Sequence, residues 1–152
     1  MHGLDLYRDL RPRELETDVI RDMNGKEKWI GFFAIFNKNP SEVFIGSAEN
    51  MGTFPNWVEK GNLFLRKEEG VFKYDFKFRD RKNQTITWEN LPSYFDKSHA
   101  GYSMMVSLML QSGLSNRNAL DVVKHLDLGS ADFDFWKDFT INIFQRYIPP
   151  LK

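Results

Sequence analysis

The chain has 152 residues and a mass of 17.9 kDa, enough for one domain that buries roughly 68–70% of the surface its unfolded form exposes. Its 21 Lys+Arg against 21 Asp+Glu exclude a protein that holds nucleic acid by bulk charge, because neutralising phosphates needs a basic excess; a local basic patch stays open. With no cysteine there is no disulfide, thiolate metal site, cysteine nucleophile or redox dithiol.

Fourteen Phe, four Trp and five Tyr bring the aromatic content to 15%, far from the composition of a disordered chain, so the sequence is expected to fold. No apolar run approaches the roughly 20 residues a membrane helix needs. The start Met1-His2-Gly3-Leu4-Asp5 lacks the charged and apolar regions of a signal peptide. The chain reads as a single soluble domain over residues 1–152, unexported, cytoplasmic by default and without a membrane partner.

Strand signals fill the first 90 residues. The stretch 14–23 meets Asn24-Gly25, a hairpin pair in which both residues are expected to take positive φ, and then Trp29-Ile30-Gly31-Phe32-Phe33-Ala34-Ile35-Phe36. Trp29 and the Phe32/Phe33 pair read as packing residues. A turn at 37–40 leads to a third strand over 42–46, and 47–60 is an irregular loop with room for one helical turn. Strands are expected at 62–66 and 71–78 around Glu68-Glu69-Gly70, and at 84–88. In the second of these, Phe72, Tyr74, Phe76 and Phe78 alternate with Lys73, Asp75, Lys77 and Arg79, giving one aromatic and one charged face.

Helical spacing takes over after Pro92. Tyr102, Met105, Val106, Met109 and Leu110 recur at three- and four-residue intervals up to Gly113. Ser115 is placed to cap a second helix with the face Ala119, Val122, Val123 and Leu126. Gly129-Ser130 opens a third, with Asp132 and Asp134 in its first turn, the stripe Trp136, Phe139, Ile143, Phe144 and Tyr147, and a stop at Pro149-Pro150. Strands followed by helices give an α+β fold, an antiparallel meander sheet covered by about three C-terminal helices, with the four β-strand rings pointing inward.

The chemistry available is sparse. The acids are scattered singly or sit at helix starts and turns, and the ten glycines form no phosphate loop, nucleophile elbow or dinucleotide fingerprint. His99 and His125 lie on different expected helices, with no acid or second His at metal-ligand spacing, so no catalytic residue, metal site or cofactor is assigned. Two basic clusters remain: Arg11, Arg13, Arg21, Lys26 and Lys28, and Lys73, Lys77, Arg79, Arg81 and Lys82. Arg11, Arg13, Arg21 and Lys28 can grip phosphate while Trp57, in the loop after Pro55, stacks on a base. The competing reading, favoured on general grounds, makes both clusters the wet face of a one-sided antiparallel sheet.

The run from Arg11 to Arg21, then Asn24, Lys26-Glu27-Lys28-Trp29-Ile30 and Asn39-Pro40-Ser41-Glu42-Val43-Phe44-Ile45-Gly46, resembles the C-terminal accessory region of adenosylcobalamin-dependent (class II) ribonucleotide reductases, the TSCPD-type domain. The likeness continues in order through Val58-Glu59-Lys60-Gly61, Tyr74-Asp75-Phe76, Gly113-Leu114, Trp136-Lys137 and Arg146-Tyr147-Ile148-Pro149. In such reductases the region follows a barrel carrying the radical site, and a Cys-rich tail delivers reducing equivalents. This sequence shows neither, and where relatives tend to have His-Gly and a helix-opening Pro it has Ser112-Gly113-Leu114-Ser115.

A chain without cysteine supplies neither the thiyl radical nor the reducing pair, so it is not expected to be a reductase by itself. Three readings stay open: an accessory or interaction domain with a reductase-type protein partner; a free-standing nucleotide binder that kept the fold; and, ranked last, an unrelated enzyme using carboxylates or His. The oligomeric state is left open.

Overall fold

The computed structural model describes residues 14–149. Six strands come first: β1 (Glu14–Asn24), β2 (Glu27–Phe36), β3 (Asn39–Ser47), β4 (Lys60–Glu68), β5 (Val71–Arg79) and β6 (Thr85–Trp88). Three helices follow, α1 (Lys97–Gln111), α2 (Asn116–His125) and α3 (Ala131–Phe144). This is the expected α+β order. No helix among the described residues is long and apolar enough to cross a membrane.

All strand pairs are antiparallel, in the order β3-β2-β1-β4-β5-β6. Two three-stranded meanders thus join through β1 and β4. The connection between β3 and β4 carries the chain back across two strands, beginning with a short 3-10 helix at Ala48–Met51, the helical turn anticipated there. The first hairpin differs by one residue from the expected Asn24-Gly25 turn. Asn24 pairs with Glu27, so Gly25 and Lys26 are the central residues, and of these only Gly25 takes positive φ, at +66°. Asn37 and Lys38 instead both adopt left-handed φ, 52° and 71°, the geometry of a type I′ turn.

The sheet curls strongly. Phe44 on β3 and Tyr74 on β5 lie four strand spacings apart, roughly 19 Å in a flat sheet, yet their ring centroids are 5.0 Å apart. Phe32 on β2 meets Phe76 on β5 at the same distance. The concave side holds one core, in which Phe32, Phe44, Tyr74, Phe76 and Phe78 pack with Met51, Phe54 and Val58 of the crossing loop. Gly61 is required here, since a Cβ would lie 2.3 Å from the Phe76 ring and 2.6 Å from the Lys77 carbonyl.

Side-chain alternation sends Phe33 the other way from Phe32, and with Trp29, Val43 and Ile45 it forms a second core against the three helices. The rings of β5 therefore point inward as expected, Phe72 only partly buried, but they face a core closed chiefly by the crossing loop, to which the helices contribute Ala100 and Met104 of α1. The one-sided sheet is corrected too, because β2 and β3 are buried on both faces for most of their length. The helices cover the outer face at β2 and β3 and reach β1 at Ile20; among the described residues no helix lies over the outer side of β4 to β6.

The expected α1 face Tyr102, Met105, Val106, Met109 and Leu110 packs against the second core, but α2 and α1 each bury residues beyond those expected. On α2, Leu120 is buried and Val122 is 40% exposed. On α1 the buried positions are His99, Ser103, Val106, Ser107, Leu110 and Gln111, a largely polar stripe at fourfold spacing. The reason is the neighbour. α1 lies along the edge of β3, whose alternate residues present backbone N–H and C=O groups away from β2. Ser107 Oγ accepts from Val43 N (3.0 Å) and donates to Val43 O (3.1 Å); Ser103 Oγ does the same at Ile45 (2.9 and 3.1 Å). His99 Nδ1 takes the Ser47 N–H at 3.4 Å, Gln111 Nε2 donates to Glu42 Oε1 at 2.7 Å, and Trp136 of α3 adds an indole N–H to Ile45 O at 2.8 Å. A helix thus closes the sheet edge that would otherwise template aggregation.

Candidate functional site

Arg11 and Arg13 lie outside the described residues. Arg21, on the concave face of β1, donates from Nη1 to Val58 O (2.7 Å) and from Nη2 to Pro55 O (2.8 Å), and its guanidinium lies 5.7 Å from the Phe54 ring centroid. Burial lowers its pKa, with the Glu59 charge acting in the opposite direction. The fork therefore pins the crossing loop on both sides of Trp57. That tryptophan is 38% exposed, packs edge-on against Phe78 with centroids 5.8 Å apart, and carries the Arg81 guanidinium 5.5 Å from its ring centroid. Lys28 is exposed on β2, directly opposite Met23 and two residues, about 7 Å, along the strand from the Arg21–Ile30 pair.

The structure therefore brings Arg21 and Trp57 into one neighbourhood and regroups the second basic cluster. Arg81 joins Trp57, whereas Lys73, Lys77 and Arg79 emerge on the opposite, outer face of the sheet. Arg81 beside Trp57 was not legible as a pair, because 24 residues separate them and only the pairing of β4 with β5 sets the distance.

His99 gains a partner that no sequence spacing announces. Its Nε2 lies 2.9 Å from Asp132 Oδ1 of α3, and the Tyr102 hydroxyl donates to Asp132 Oδ2 at 3.4 Å. Because Nδ1 accepts the Ser47 N–H, the proton of the neutral ring sits on Nε2 and is given to Asp132. Asp96, His99 and Asp132 can bring ligand atoms within 4.8 Å of one another. Each is already engaged: Asp96 caps α1 by accepting from Ser98 N (2.9 Å), and Asp132 fills the positive end of α3. A cation there would compete with two helix N-termini, so the trio does not fit a metal well. The dyad joins the edge strand to two helices.

On the outer face, where the helical layer ends, an open cleft of about 700 Å³ lies over β1, β4 and β5. Glu14, Glu16 and Asp18 form one wall, Lys77 and Arg79 the other, with Phe64 between them. Lys77 Nζ sits 4.3 Å from the Phe64 ring centroid. Asp18 Oδ2 accepts from the Tyr147 hydroxyl at 2.8 Å, and burial, then that hydrogen bond, raises the Tyr147 pKa well above the usual phenol range.

The family profile described as the NrdJ homologue C-terminal domain matches residues 15–149, which is nearly all of the described chain. The chain belongs to that family. It is thus related to the C-terminal accessory domain of class II ribonucleotide reductase, as the sequence resemblance implied. No curated protein matches it, and no solved structure does. Within this NrdJ-related domain the departing turn Ser112-Gly113-Leu114-Ser115 is a helix–helix corner. Gly113 takes φ +103° after α1, and Ser115 Oγ accepts from Asn118 N to start α2. A hydroxyl caps the helix at this corner, and both serine side chains there are exposed.

Proposed function

We propose that this chain is a non-catalytic accessory domain of the cytoplasm that docks on a protein partner, the catalytic chain of a class II ribonucleotide reductase or a relative of it. The docking surface is built by Trp57 and Arg81. The observation that carries the reading is how the side chains are used. Arg21 is committed to two loop carbonyls and His99 to a strand edge and Asp132, while Trp57 stays exposed under a guanidinium. Tryptophan and arginine are the residue types enriched among interface hot spots. Family membership points the same way, and a chain without cysteine supplies neither the radical nor the reductant of the parent reaction.

In this reading Arg21 holds the loop that presents Trp57, and Lys28 adds charge on the same face of the sheet. A nucleotide phosphate at Arg21 would have to displace two carbonyl hydrogen bonds, which weighs against the nucleotide alternative. Calorimetric titration against a class II reductase catalytic chain lacking its own C-terminal region tests the proposal. Saturable binding, weakened at least tenfold by Trp57→Ala, and no heat with ATP or dATP are expected. Heat with nucleotides and none with the protein would overturn it.

A further inference from the structure

Among the described residues, the part of the outer face of β1, β4, β5 and β6 that no helix covers carries a charge pattern with a definite symmetry. Strand register sorts its side chains into rungs. Asp18, Lys60, Arg79 and Thr85 share one rung, and Glu16, Asn62, Lys77 and Thr87 the next. Glu14 and Phe64 begin a third, whose β5 member, Asp75, is buried and accepts from Arg66 Nε at 2.7 Å. In the first two rungs the acid lies one strand to one side of β4 and the base one strand to the other, so roughly 10 Å separates them across the intervening row. Among the described residues no ion pair joins Glu16 or Asp18 to Lys77 or Arg79.

We propose that this face binds a second copy of the chain about a two-fold axis running along β4. Such an axis exchanges left and right across β4 while preserving the position along the strands. Glu16 of each copy then lies over Lys77 of the other, and Asp18 over Arg79. The row on the axis is self-compatible at two of its three positions: Asn62, its Nδ2 donating to Glu14 Oε1 of the same copy at 2.7 Å, lies opposite an uncharged Asn62, and the half-buried Phe64 ring, with Lys77 Nζ 4.3 Å from its centroid, lies opposite its equivalent. The Lys60 ammoniums straddle the axis, each flanked by the Asp18 directly opposite it on its own β1. A two-fold axis across the strands would instead set acids over acids. The pattern therefore selects both a partner and an orientation, and a partner with one sign of charge would match only one wall. Because the face is small and polar, the contact belongs to the transient class, with less than about 1,200 Å² buried in total, and salt weakens it over a screening length of about 8 Å at 0.15 M.

This interface is on the opposite side of the sheet from Trp57 and stands or falls independently of the docking reading. Sedimentation equilibrium of the full chain over a concentration series at low salt tests it, with Glu16→Lys and Lys77→Glu as exposed or half-exposed changes that spare both cores. The wild type is expected to dimerise reversibly, and each variant alone to associate at least tenfold more weakly, since each places like charges across the axis twice. An equimolar mixture of the two variants is expected to recover association, because both crossed contacts become opposite in charge again. Circular dichroism of each variant checks that the fold is retained. A wild type that stays monomeric to about 1 mM would overturn the proposal, and so would a dimer that neither variant weakens or a mixture no better than its components.

Discussion

Replacing Ser107 by Ala removes one oxygen and tests whether α1 closes the sheet edge. That hydroxyl is 1% exposed, accepts the Val43 N–H and donates to the Val43 carbonyl. Losing it leaves a buried N–H with no partner at about 1–3 kcal/mol, and forfeits a second hydrogen bond of about 1 kcal/mol, so roughly 2–4 kcal/mol is expected. The paired change Ser103→Ala should cost less, about 1–3 kcal/mol, because the Ile45 carbonyl keeps its 2.8 Å bond from the Trp136 indole. At this chain length each kcal/mol corresponds to about 2–4 °C in Tm. Urea denaturation gives the free energies, and amide exchange locates the effect: Val43 should lose protection in Ser107→Ala before its neighbour Phe44, whose N–H points toward β2. A change within about 0.5 kcal/mol of wild type, or a Ser103 effect larger than the Ser107 effect, would refute the edge-closing account.

Three further outcomes are expected. Phe76→Ala, at a side chain with no exposed area between Phe32 and Phe54, should destabilise by about 3–5 kcal/mol; a thermal shift near zero would mean the concave core is misassigned. Lys38→Gly should raise stability by about 1 kcal/mol, since it relieves a left-handed φ of 71° that a side chain resists, and an unchanged Tm would contradict the turn geometry. The raised Tyr147 pKa makes the folded state hold its proton more tightly than the unfolded chain, so its contribution is intact below pH 10 and is lost as the pH rises above that value. Tyr147→Phe should therefore be less stable than wild type at pH 8 and show a shallower alkaline decline, and parallel slopes for the two proteins would argue against the Asp18 contact.

Much of the fold was legible because local chemistry and tertiary packing agree. The alternation of Phe72, Tyr74, Phe76 and Phe78 announced a face, Ser115 and Ser130 capped the helices expected of them, and the Trp136, Phe139, Ile143, Phe144 stripe is buried. What was not legible depends on curvature and on neighbours distant in sequence. Alternation says that a face is buried, not what covers it, and only the curling of the sheet makes the crossing loop the chief cover of the β5 rings. The polar stripe of α1 was missed for a related reason. Apolar residues mark a helix face that meets other apolar residues, as Val106 and Leu110 do, whereas α1 also meets a strand edge and buries hydroxyls there. A fourfold recurrence of His99, Ser103, Ser107 and Gln111 is the signal that would have found it. At the candidate site, Trp57 was visible as an aromatic in a loop, but the employment of Arg21 by two carbonyls 34 and 37 residues away was not.

The docking reading is tested most directly by hydrogen exchange on the chain alone and mixed with the class II reductase catalytic chain. Protection is expected to rise over the loop carrying Trp57 and the turn carrying Arg81, and to be lost with Trp57→Ala. Exchange unchanged at both segments under saturating partner, or protection that persists in Trp57→Ala, would contradict it.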